Sequence, residues 1–237
     1  MTDTRIRDHL PPGYIKNPPV AYTMESYWTG QMIADAHYYQ YQVYAWAMNI
    51  CRARHYTRLF DFGCGPGIKL KMIHRALPEL QIVGVDQPDA IRYCQKSHPF
   101  GEWHGVDLNA AISVPGPKAD LIICADVIEH LVKPEDVLTS IRNSLSDRGS
   151  ALVSTPDRKR LRGRTHLGPP PNPSHQEWSQ EEFAALLEDH GFRILDHRHT
   201  YAVRWAWNDL WRDEVLKKWA RGRSARYAQV VWVENAR

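Results

Sequence analysis

Apolar residues change their spacing repeatedly along the chain. TRLFDFG, LQIVGVD, ADLIICAD and SALVSTP are short, almost unbroken apolar runs, which predict strands buried on both faces. Between them, GIKLKMIHRAL, PDAIRYCQKS and PEDVLTSIRNSL repeat their apolar residues at three and four, which predicts amphipathic helices. Pro78 ends the first, Pro88 falls in the first turn of the second, and the third stops near Gly149. EWHGVDL adds a short third strand, FRILDHRHTY a sixth and YAQVVWVEN a last one. In SQEEFAALLEDHG, Ser179 and Glu182 form a capping box and Gly191 stops the helix. Strands alternating with helices in this way predict a doubly wound α/β fold, a mostly parallel sheet covered on both faces.

The remaining segments break that alternation. The first twenty residues carry prolines at 11, 12, 18 and 19 without a hydrophobic period and predict an irregular arm across the domain. Helix is expected over about Tyr27 to Ala53, in two pieces, and again over Trp207 to Trp219. The segment from Asp157 to Ser174 is rich in Pro, Gly and Arg and predicts a long functional or mobile loop. No internal repeat or linker divides the 237 residues, so a single domain is expected.

Composition narrows the picture only modestly. With 43% hydrophobic and 24% charged residues, the chain has the balance of an ordinary soluble globular protein. A net charge of +3 does not argue for nucleic acid. Four cysteines without a CxxC pair read as buried free thiols, and no stretch reaches the length of a membrane span. Together these predict a cytoplasmic protein.

The first strand runs straight into a turn with glycines at 63, 65 and 67. In a doubly wound sheet such a turn lets backbone approach a ligand closely. A dinucleotide fingerprint would need a small residue at position 68, where this chain has Ile68, so the pattern is DxGxGxG. A tight turn without a ligand is the alternative for the triplet alone. VGVD then places Asp86 at the end of the second strand, where one carboxylate can accept from two vicinal hydroxyls. GVDLN places Asp107 after the third strand, and ADVIEHL follows the fourth.

These four features, spread over residues 59–155, resemble the class I S-adenosylmethionine-dependent methyltransferases. The resemblance implies a seven-stranded sheet with an antiparallel last strand. It implies a cofactor held by Asp61, Gly63, Cys64, Gly65, Gly67, Asp86, Gln87, Asp107, Leu108 and Asp126. Asp86 would hold the ribose, Asp107 the adenine end, and the glycine turn with Asp61 the methionyl part. On this division residues 1–56 contribute to an acceptor lid, 57–155 form the cofactor-binding half and 156–237 the acceptor-side half.

Two readings of the catalytic chemistry stay open. In DVIEH, Asp126, Glu129 and His130 would share one face of a helical turn and suit Mg²⁺. The segment is similar to that of ubiquinone-pathway O-methyltransferases, although Asp126 stands where those more often have Glu. Alternatively these residues pack beneath the cofactor or orient the acceptor, with His130 as a metal-free base. His175, in the HxxEW phrase, is a second candidate base at the mouth of the cleft, or else a packing histidine before a helix. That phrase looks like polysaccharide- and glycolipid-pathway methyltransferases, which points to a hydroxyl of a sugar or small metabolite as acceptor. An amine, a phenol or an activated carbon is the alternative, as is a member of the fold that binds without turnover.

The basic run Arg158, Lys159, Arg160, Arg162 and Arg164 predicts a solvated lid or a contact with an anionic acceptor. Trp205, Trp207, Trp211, Trp219 and Trp232 read as core or as a homodimer interface.

Overall fold

A computed structural model describes residues 8–20, 40–171, 173–201 and 227–236. The expected helices before residue 40 and over 207–219, and the tryptophans at 205, 207, 211 and 219, lie outside them. Seven strands form one sheet: β1 (Arg58–Phe62), β2 (Gln81–Asp86), β3 (Glu102–Gly105), β4 (Ala119–Ala125), β5 (Leu145–Pro156), β6 (Phe192–Tyr201) and β7 (Tyr227–Asn235). The helices are α1 (Tyr41–Arg54), α2 (Ile68–Ala76), α3 (Pro88–Ser97), α4 (Pro134–Ser144), α5 (Arg158–Arg162) and α6 (Gln180–Asp189).

Strand order is β3-β2-β1-β4-β5-β7-β6, and the seven-stranded, mostly parallel sheet is the one the alternation and the resemblance together implied. The first five strands pair in parallel, and β7 runs antiparallel between β5 and β6. β1, β2, β4, β5 and β7 divide their side chains between two cores. Phe60, Phe62, Ile122 and Val153 pack with α4 and α6 on one face, whereas Leu59, Ile123 and Leu152 pack with α1, α2 and α3 on the other. The chain moves outward from β1 to β3 and then crosses to β4 on the far side of β1. That reversal opens a crevice at the carboxyl ends of β1 and β4.

Boundaries shift at β5. The helix before it ends at Ser144, not near Gly149, and the chain is already extended from Leu145. The ladder with β4 is interrupted between Ala119 and Leu121. Gly149 lies where a Cβ would meet the Ala119 carbonyl oxygen at 2.8 Å, so its role is close approach to β4.

The arm is stitched to the long loop. Ile15 N–H donates to the Leu167 carbonyl at 2.7 Å, and the Asn17 amide donates to the carbonyls of Pro170 and Ser174. The Trp178 indole N–H donates to the Asp8 carbonyl, and the Tyr14 hydroxyl accepts from Glu177 N–H.

The structure corrects the expectation for the basic run. Residues 158–162 form α5, capped by Asp157, and ion pairs hold Arg158, Lys159 and Arg162. Arg158 is buried and paired with Glu182, Lys159 pairs with Glu181 at 2.9 Å, and Arg162 with Glu177 at 3.1 Å. Arg164 lies exposed beyond them. The capping box holds: Ser179 Oγ accepts from Glu182 N–H, and the Glu182 carboxylate accepts from Ser179 N–H. Ser179→Ala is therefore expected to cost about 1 kcal/mol, read as a lower urea midpoint with unchanged m-value. No change in midpoint would remove the cap from the stability of α6.

All four cysteines are free and buried. Trp232 packs edge-on against Trp46 of α1 with ring centres 5.9 Å apart, so this tryptophan serves an intramolecular contact. Among the described residues no helix is long and apolar enough to cross a membrane.

Candidate active site

β1 delivers Asp61 and then the glycine turn to the crevice. Gly63, Gly65 and Gly67 all have positive φ (85°, 54° and 69°), the left-handed region that glycine enters without penalty. At Gly63 the requirement is also steric, because a Cβ would stand 2.2 Å from Val127 Cγ2. The turn is braced from behind by α3. The Cys94 thiol donates to the Gly65 carbonyl at 3.2 Å, and His98 Nε2 donates to the Pro66 carbonyl at 2.9 Å.

Asp86 closes the turn from the other side. Its carboxylate accepts from Gly65 N–H at 2.7 Å and from Gln87 N–H at 2.6 Å. Burial raises its pKa, and the two N–H donors oppose that rise. A carboxylate accepts at about four lone-pair sites, so two remain for hydroxyl donors. Asp107 lies exposed just beyond β3, tied to Asn109, with Leu108 buried beside it.

Asp61 is wholly buried on the α1 face of the sheet. Its Oδ2 accepts from the Tyr44 hydroxyl at 2.8 Å, and its Oδ1 has no partner among the described residues. Burial pushes its pKa up to about 7 against the Tyr44 hydrogen bond and the nearby Lys69 charge. Lys69, at the start of α2, donates to Gln40 Oε1 at 2.8 Å. Gln40 Nε2 in turn donates to Asp126 Oδ2 at 2.9 Å, and Ser154 Oγ donates to Asp126 Oδ1 at 2.7 Å. An orphaned buried carboxylate oxygen near the half-buried Lys69 ammonium fits the α-amino-acid end of S-adenosylmethionine. Tyr44, Gln40 and Lys69 carried no motif signal.

The proposed Mg²⁺ set does not fit. Asp126 has φ 52°, which breaks the helical spacing assumed for the segment, and only the single turn Ile128–His130 follows. The Asp126 carboxylate turns toward Gln40 and Ser154, while Glu129 is buried to 2% exposure with Oε2 unpartnered. His130 Nε2 stands 3.8 Å from Glu129 Oε1, and its Nδ1–H donates to the Pro173 carbonyl at 3.2 Å. Among the described residues no three His, Cys, Asp or Glu side chains converge as metal ligands. Burial drives the Glu129 pKa well above the carboxylate range, with Asp126 adding to the rise.

His175 is brought to the same place by its backbone. Its N–H and that of Gln176 both donate to the Glu129 carbonyl, and its own carbonyl accepts from Asn17 N–H. The residue is 9% exposed with Nδ1 unpartnered, so it lies beneath the arm and not at an open mouth. Burial lowers the pKa of both His175 and His130, which keeps them neutral near pH 7.

A model of the methyltransferase domain matches residues 36–197, about two thirds of the chain. The chain belongs to the methyltransferase domain family. Its similarity to a trans-aconitate 2-methyltransferase of Yersinia pestis is 29% identity over 98 residues, 41% of this chain and 37% of that protein. A probable S-adenosylmethionine-dependent methyltransferase of Mycobacterium tuberculosis is 30% identical over 144 residues, 60% of this chain and 50% of that one. The chain thus spans half or less of the length of the curated relatives it matches. In solved structures the methyltransferase domain shares its fold with plantazolicin methyltransferase BamL in complex with S-adenosylhomocysteine. That likeness has a TM-score of 0.59 at 13% identity and covers 83% of this chain and 84% of that one. A methyltransferase of Clostridium acetobutylicum gives 0.59 at 11% identity, covering 82% and 91%.

Proposed function

We propose that this methyltransferase domain transfers the methyl group of S-adenosylmethionine to a hydroxyl of a sugar or other small metabolite, without a metal. The observation that carries the cofactor reading is the glycine turn, splinted by Asp86 and flanked by the orphaned Asp61 oxygen. Asp86 holds the ribose hydroxyls, the backbone of residues 63–67 approaches the methionyl part, and Asp107 with Leu108 borders the adenine. The bound cofactor supplies an electrophilic methyl on a sulfonium, open to in-line attack.

An alcohol acceptor must lose its proton as it attacks. His130 is the base that geometry favours. Its hydrogen bond to the Pro173 carbonyl assigns the ring proton to Nδ1 and leaves Nε2 as the basic nitrogen. Its lowered pKa keeps that nitrogen unprotonated.

A second reading is favoured by the trans-aconitate relative: an acceptor that is already an anion, such as a carboxylate, needing no base. A labelled-methyl assay across glycosides, phenols, amines and polycarboxylates, with and without EDTA, separates them. On a hydroxyl acceptor, His130→Ala should lower kcat about 100-fold or more, with chelator having no effect. Full activity of that variant on the best acceptor assigns the carboxylate reading, and loss of activity in EDTA overturns the metal-free mechanism.

A further inference from the structure

The side chain of Gln40 has a revealing position. Its amide oxygen sits on the Lys69 ammonium, and its amide nitrogen sits on the Asp126 carboxylate. One planar group thus offers an acceptor to the cation and a donor to the anion. The free end of an amino acid offers the same pair.

The surroundings sharpen that match. Lys69 Nζ carries three donors, and among the described residues Gln40 Oε1 is the acceptor it meets. Its ring neighbour is Tyr44, whose centroid lies 5.1 Å away and whose hydroxyl is committed to Asp61. Asp61 Oδ1 stays unpartnered in the same buried space. Two carboxylates, Asp61 and Asp126, act on Lys69 and favour its charged form against burial. A half-buried lysine serving only as a counter-ion would be expected to meet one of them directly. Instead its ammonium is turned to a neutral amide that can be displaced.

We propose that Lys69 is a cofactor-selecting residue whose ammonium takes the methionyl carboxylate in place of the Gln40 amide oxygen, while Asp61 takes the methionyl ammonium. This rests on the S-adenosylmethionine reading above. The adenosine end is recognised by Asp86 and Asp107, so Lys69 governs which sulfur-linked side chain is accepted. Nucleosides that keep the amine but lack the carboxylate are discriminated against at this point.

Calorimetry with two ligands tests it: S-adenosylhomocysteine and its decarboxylated counterpart S-adenosyl-3-thiopropylamine. The wild-type protein should prefer the carboxylate-bearing ligand by about 10-fold or more, the range of a hydrogen bond to a charged group. Lys69→Met should abolish that preference by weakening S-adenosylhomocysteine alone, with the amine ligand bound as tightly as before or more tightly. Lys69→Arg should retain part of the preference, and thermal unfolding of each variant controls for folding. An intact preference in Lys69→Met, or an equal loss for both ligands, overturns the role of Lys69. A wild-type protein that binds both ligands equally overturns it while leaving the cofactor assignment standing. Binding of neither ligand overturns both.

Discussion

Replacing Asp86 with alanine is expected to weaken S-adenosylhomocysteine binding about 100-fold or more, the largest single loss of cofactor affinity in this protein. Two hydrogen bonds from ribose hydroxyls to a carboxylate are each worth about 1.5–3 kcal/mol. The substitution also releases Gly65 N–H, which donates to Asp86 at 2.7 Å and fixes the turn. Ligand contact and turn geometry are therefore lost together. Asp86→Asn keeps the shape and one acceptor oxygen, so it should fall between alanine and wild type. Calorimetry reads the affinities, and circular dichroism confirms the fold. Wild-type affinity in Asp86→Ala would remove this residue from the cofactor site.

The largest expected loss of stability is at Arg158. This guanidinium is 1% exposed, pairs with Glu182 and donates to the His166 carbonyl at 2.6 Å. Arg158→Met leaves a carboxylate facing an apolar side chain. Breaking a buried ion pair from one side costs about 3–5 kcal/mol. Glu182 is partly exposed and keeps its capping contact with Ser179, so about 3 kcal/mol is expected. Urea denaturation measures it, and Arg158→Met/Glu182→Gln should recover part of the loss. A cost below about 1 kcal/mol would mean that water replaces the pair, as it does for exposed ones.

The sheet was legible in the sequence because its signals are local. A buried parallel strand is one apolar run, and a helix start or stop is one residue of special chemistry, as at Ser179 or Gly191. The glycine turn belongs to the same class, since its three glycines of positive φ fall within one short run, although the steric demand of Val127 on Gly63 is long-range. The contacts that complete the site are not local. Tyr44 reaches Asp61 across seventeen residues and Gln40 reaches Asp126 across eighty-six, and neither partner announces the other. The basic run looked uncommitted because its acids, Glu177, Glu181 and Glu182, follow it by fifteen to twenty-four residues in a separate element. The supposed metal face failed at one dihedral. Spacing rules presume continuous helix, and Asp126 sits in the left-handed region ahead of a single turn.

The placement of β7 bears on how the chain acquires its fold during synthesis. The first five strands pair with one another, so that part of the sheet can assemble as it leaves the ribosome. β6 cannot follow suit. Its neighbour in the sheet is β7, which begins at Tyr227, and β7 alone links it to β5. A nascent chain halted before that point carries β6 with an unpaired edge, open to pairing with another chain. A premature stop a few residues short of β7 thus strands a finished element, and such products are natural clients for chaperones and proteases.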